Sequence, residues 1–186
     1  QTYWLLGIAL ALRLLAQITL MIHFVPILVV KDIPEGTSAI LIAVASFVRL
    51  PVAVVVGYIS DRQSRTKTSA AVMFLGVGAC AAVLLGPNHL VIASLFALLF
   101  GAAHAANAIT WALVGQFFGR KHLGSIQGIG QMVGIIGASI GALPYAIAYD
   151  VDWNIDSALR MLAILPLVCA GIALFLREPE QSPARG

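Results

Sequence analysis

Gly57-Tyr58-Ile59-Ser60-Asp61-Arg62-Gln63-Ser64-Arg65-Thr66-Lys67 is the stretch whose reading decides the fold. An apolar run stops here, one acid and three bases follow in a tight group, and a second apolar run starts near Thr68. Outward from it the same punctuation recurs. Lys31-Asp32-Ile33-Pro34-Glu35-Gly36, Gly86-Pro87-Asn88, Gly119-Arg120-Lys121-His122, the polar segment 150–156 and Arg177-Glu178-Pro179 each close an apolar run. A membrane-spanning helix takes roughly 20 apolar residues. By that measure the chain is expected to hold six spans, over about 3–30, 37–60, 68–85, 89–118, 124–149 and 158–176. The runs are long and continuous rather than short alternations, which points to helices and not to a barrel. The expected fold class is an all-α membrane protein, a single six-helix transmembrane bundle over 1–186.

Composition agrees. Of 186 residues, 60% are hydrophobic and 10% charged, with a mean hydropathy of +0.97. A soluble domain carries about 25% charged residues, so this chain needs lipid as its solvent. The net charge of +3 does not indicate a nucleic-acid partner, because most bases sit in short loops between apolar runs. Cys80 and Cys169 each lie inside an apolar run, with no second Cys or His at zinc-ligand spacing, and read as small buried hydrophobes. The chain opens at Gln1 directly into an apolar run that is too long for a signal-peptide core, so a trimmed or fragmentary chain is expected.

Six spans put both termini on one side, and the bases choose the side. Arg62, Arg65, Lys67, Arg120, Lys121, Arg177 and Arg185 share one face, against Lys31 and Arg160 on the other. Seven against two places both termini and the Asp61 loop in the cytoplasm. Trp4, Trp111 and Trp153 fall near the expected interfaces and read as belt anchors. Pro26, Pro51, Pro144 and Pro166 lie within or near span ends, where each can bend or break a helix. Gly130/Gly134 and Gly137/Gly141 are spaced by four in the fifth span, a face that lets another helix approach closely.

Arg13 and Arg49 are the charges left inside the spans. At 1.5 Å per residue both lie roughly 15–18 Å deep, near the middle of a ~30 Å core. An uncompensated arginine there costs at least about 3 kcal/mol, and no Asp or Glu lies within any span. Either acids from elsewhere pair with them or they face a watery cavity that accepts anions, for which the guanidinium fork suits a carboxylate. Arg13 also has the option of snorkelling to the inner interface. His23 and His104 are candidate proton-coupling groups, with a hydrogen bond to a neighbour as the plainer role. Gln17, Asn107, Gln127 and Gln131 are expected to point inward, away from lipid. Arg49, Arg13, His23, Asn107 and Gln131 make up the candidate substrate-binding set. No catalytic set, paired carboxylate, metal-ligand spacing or phosphate-cradling glycine loop is present in the sequence. The chain is therefore read as a non-enzyme with no cofactor and no ATP engine.

Gly57 followed four residues later by Asp61-Arg62, and then by Arg65 and Lys67, resembles the signature loop of the major facilitator superfamily. The resemblance covers the whole chain, which looks like one six-helix half of a twelve-helix transporter. Gly119-Arg120-Lys121-His122-Leu123-Gly124-Ser125-Ile126-Gln127-Gly128, Gly141-Ala142-Leu143-Pro144 and Tyr149-Asp150 resemble the fourth-to-fifth loop and fifth helix of a C-terminal half. Ile22-His23-Phe24-Val25-Pro26 resembles the His-x-x-Pro stretch of that half's first helix. Together these look most like the bacterial monocarboxylate and oxalate–formate branch. The chain departs from that branch where Ala53 replaces an arginine one turn before Gly57, with Arg49 a turn further from the loop. Gln63-Ser64 also replaces the loop's usual second glycine.

The resemblance implies secondary transport of a small organic solute by alternating access, here an organic anion such as a monocarboxylate, coupled to protons or to exchange. It implies a bacterial inner membrane, an absent N-terminal half as partner, and an Asp61 that braces against that half to hold an outward-open state. A multidrug or other solute:proton antiporter of the same superfamily, and a non-transporting assembly or sensor module, are the alternatives.

Overall fold

The computed structural model describes residues 2–105, 107, 109, 112, 115, 123–150, 164, 167, 168 and 171. Among these the chain is helical, joined by short turns, with no strand. Its elements are α1 (Thr2–Ile22), α2 (Phe24–Val30), α3 (Glu35–Arg62), α4 (Arg65–Leu85), α5 (Leu90–His104) and α6 (Leu123–Asp150).

The first apolar run, expected as one span over 3–30, is broken at His23, and the two pieces meet at a bend of 55°. Pro26 explains the place. It has no N–H for the Ile22 carbonyl four residues back, and its ring crowds that carbonyl. The bonds on either side survive, from His23 N to the Thr19 carbonyl at 3.1 Å and from Ile27 N to the His23 carbonyl at 2.9 Å. Proline alone does not dictate a break: α3 runs through Pro51 and α6 through Pro144 without interruption. Pro166 lies outside the described residues.

α3 and α4 reach further into the charged loop than the apolar pattern alone indicates. α3 continues through Asp61 and Arg62. α4 starts at Arg65 rather than near Thr68, because Ser64 caps it, its hydroxyl accepting from Lys67 N at 3.4 Å. Glu35 in the first turn of α3 and Arg62 in its last complement the helix dipole. The fourth run, expected over 89–118, is helical as α5 only to His104. A turn at Ala105 follows, where Ala105 N bonds back to the Ala102 carbonyl at 3.0 Å, and Asn107, Ile109, Ala112 and Gly115 are again helical. Of the expected sixth span only residues 164, 167, 168 and 171 are described, all of them helical.

α1 packs chiefly on α6, and α5 packs on both α3 and α4. Phe24 of α2 stacks on Phe96 of α5 with ring centroids 4.9 Å apart, and Phe100 closes the trio at 5.5 and 5.8 Å. Ile27, Leu28, Ala79, Cys80 and Ala97 fill the space around them. In lipid such contacts stabilise through dispersion and shape rather than through release of water. α3 and α5 approach one another closely. A Cβ built on Gly101 would stand 2.3 Å from the Ala45 carbonyl oxygen, so only glycine allows these backbones to meet.

The loop after α2 and the loop after α4 lie together, since Asn88 Nδ2 donates to Asp32 Oδ2 at 3.3 Å. α3 and α5 both start from that end and run in parallel, while the 62–65 turn lies at the far end of α3. By length and composition α3 and α4 can each cross a membrane, and the bent α1–α2 pair makes a third crossing if taken as one span. α3 presents Ile40, Phe47, Leu50 and Val54 on its open surface, each at least 64% exposed. A patch of that kind suits lipid or another apolar surface, not water.

Candidate functional site

Polar side chains converge where α1, α3 and the end of α5 meet. Arg13 is 3% exposed, and its Nη2 donates to Asn107 Oδ1 at 2.8 Å across 94 residues of sequence. One turn along α1, Gln17 Nε2 donates to the Ala103 carbonyl at 3.4 Å, beside the turn that interrupts the α5 ladder. The break thus exposes backbone acceptors that α1 supplies with a donor.

Arg49 is placed differently. It is exposed on α3 and forms no ion pair or hydrogen bond among the described residues; the acids whose side chains are described, Asp32, Glu35 and Asp61, sit at helix ends. It lines a pocket to which α3 contributes Ile42, Ala45, Ser46 and Arg49, at the i, i+3, i+4, i+7 spacing of a single helix face. α5 contributes Phe100, Gly101 and His104, and α1 adds Met21. Ser46 returns its hydroxyl proton to the Ile42 carbonyl at 2.9 Å, so its oxygen keeps acceptor capacity.

His104 stands edge-on to Phe100 with ring centroids 4.5 Å apart. Its Nδ1 lies 3.4 Å from the Phe100 carbonyl. A carbonyl only accepts, so in the neutral ring Nδ1 carries the proton and Nε2 is the acceptor. Both Arg49 and Arg13 lie within electrostatic reach of His104. The pocket therefore holds a cationic fork, an imidazole and a wall of apolar side chains.

The other candidates fall elsewhere. His23 is 9% exposed at the α1–α2 break and does not line the pocket. Gln131 is exposed on α6 and does not line it either, and Gln127 is half-buried. Gly130, Gly134, Gly137 and Gly141 lie in α6, the helix that packs on α1; Trp111, Trp153, Cys169 and the side chain of Trp4 lie outside the described residues.

In the charged loop Asp61 Oδ1 meets Arg65 Nη2 at 3.2 Å, which offsets an acid at a helix C-terminus. Arg62 instead lies over the Tyr58 ring, 4.1 Å from its centroid. Lys67 is exposed. A methyl at Gly57 would meet nothing within 4 Å, so no close approach within the described chain calls for glycine there.

Sequence reasoning passed over Gln17 as a tether of α5, and Ala45, Ser46 and Gly101 as pocket residues. The signal for the α3 set was present as helical spacing around Arg49; nothing local marked Gly101 as the crossing point. Among the described residues no three His, Cys, Asp or Glu side chains converge as a metal site.

The family model described as Major Facilitator Superfamily matches residues 2–186. No curated protein matches the chain.

Proposed function

The chain belongs to the major facilitator superfamily, and from that premise we propose that it moves a small organic anion, such as a monocarboxylate, by alternating access. Proteins of this family are secondary transporters of small solutes and not enzymes, and the chain is an integral membrane protein with apolar helices long enough to span. The observation that carries the anion reading is Arg49. It is a guanidinium in the middle of a span, it has no acid partner among the described residues, and it opens on a pocket shared with His104. A buried-depth cation without a counter-ion is costly, and a carboxylate ligand supplies the missing charge. His104, with Nε2 as acceptor, is the proton-carrying group in this reading. Arg13 donates through Nη2 to Asn107 and braces α1 against the chain after α5.

The chain acts as a six-helix, C-terminal half working with an N-terminal half, in a bacterial inner membrane with both termini cytoplasmic. The bias of bases toward the 62–67 face supports that orientation.

The test is uptake of a panel of radiolabelled organic acids by the intact protein in proteoliposomes, wild type against Arg49→Ala. Uptake by wild type and its loss in the variant is the expected result. Equal uptake by both, or no acid carried by wild type, removes the anion reading and leaves transport of another solute, such as a drug exchanged for protons.

A further inference from the structure

We propose, resting on the anion reading above, that the α3–α5 crossing at Ala45 and Gly101 sets the length of the apolar tail that the substrate can carry. α3 and α5 run in parallel, so the two rims of the pocket follow one another along the same axis. On α3, Arg49 lies one turn beyond Ala45; on α5, His104 lies three residues beyond Gly101. The charged and hydrogen-bonding groups thus sit together on one side of the crossing. Ile42 lies on the other side, three residues before Ala45, and Phe100, its ring edge-on to His104, and Met21 from α1 complete the apolar wall. Between them the two backbones are in contact, with no room for a single added carbon on Gly101.

A ligand whose carboxylate takes the Arg49 fork lays its remaining atoms toward the crossing, where Ile42, Phe100 and Met21 offer carbon and a thioether. That chemistry fits a monoanion with a short apolar body. It disfavours a dianion, whose second charge would face Ile42, Phe100 and Met21 without compensation. On α3 Ala45, 3% exposed, lines the pocket between Ile42 and Arg49. The opposing contact on Gly101 is the Ala45 backbone, which no side-chain change at position 45 removes. Ala45→Gly therefore widens the pocket by one methyl and leaves the crossing itself in place.

The experiment is uptake of straight-chain monocarboxylates of rising length by the intact protein in proteoliposomes, comparing wild type, Ala45→Gly and Ile42→Ala. One methylene in an apolar pocket is worth about tenfold or more in discrimination. Wild type is expected to fall off steeply beyond a short acid, and Ala45→Gly to move that fall-off one to two carbons longer, with the next-longer acid gaining about tenfold over the shortest. Ile42→Ala, on the same wall, shifts it in the same direction. An unchanged length profile in both variants, with uptake still lost in Arg49→Ala, overturns the filter and leaves the anion reading standing. Absence of any monocarboxylate uptake by wild type overturns both.

Discussion

Gly101→Ala puts the packing argument under direct test. The added Cβ would stand 2.3 Å from the Ala45 carbonyl oxygen and 3.0 Å from the Ala45 carbonyl carbon and Cα. Ordinary contact begins at 3.4 Å, so α3 and α5 must part by about 1 Å at their crossing. All three opposing atoms are backbone, and no rotamer change relieves them. Overpacking of this kind costs about 1–3 kcal/mol, which corresponds to a fall of roughly 2–12 °C in melting temperature for a chain of this size. Gly78→Ala is the matched control. Its Cβ would meet only Leu99 Cδ1, at 3.6 Å, and replacing a helical glycine by alanine without strain raises stability by about 0.4–1 kcal/mol. The assay is thermal unfolding in detergent micelles followed by a thiol-reactive dye on buried Cys80, with circular dichroism as the second probe. The reasoning fails if Gly101→Ala melts with wild type, if Gly78→Ala loses as much, or if Ala45→Gly rescues Gly101→Ala.

The Arg13–Asn107 contact gives a second test. In a double-mutant cycle with Arg13→Gln and Asn107→Ala, the part-buried charge-assisted bond at 2.8 Å is expected to show a coupling of about 1–2 kcal/mol, and a coupling near zero would show that the two groups do not hold α1 to the chain after α5. The Asp61–Arg65 pair should behave in the opposite way. Asp61 is 72% exposed, and an exposed i, i+4 pair contributes only about 0.3–0.5 kcal/mol, so Asp61→Asn should unfold within a degree or two of wild type; a large loss would mean that the carboxylate is held by more than Arg65.

The positions of the apolar runs were legible because a span and a loop differ in composition over about 20 residues. Local rules also explain what the apolar count missed. The Ser64 cap draws Arg65 and Lys67 into the first turn of α4, a signature that reads from sequence once the cap is considered. The break at His23 follows from Pro26, yet Pro51 and Pro144 sit in unbroken helices, so proline marks where a helix can bend and its neighbours decide whether it does. The candidate site was legible only in part. Arg13 and Arg49 were equivalent as intramembrane arginines at similar depth; in the fold one is buried against Asn107 and the other opens on a pocket.

By itself the sequence determined the solvent and the helical class: apolar residues on every face require lipid, and lipid requires helices whose backbone bonds close internally. It also determined the charged turn at 61–67, through the abrupt change from apolar to basic residues, and with it the family. Only the tertiary structure decided which polar groups meet. Arg13 reaches Asn107 across 94 residues, and Arg49 shares a pocket with His104 because α3 and α5 run in parallel and touch at Ala45 and Gly101. The physical reason is that helical periodicity assigns a residue to a face, whereas the neighbour of that face is set by where two backbones can approach, and that depends on a missing side chain on one helix and a carbonyl on another.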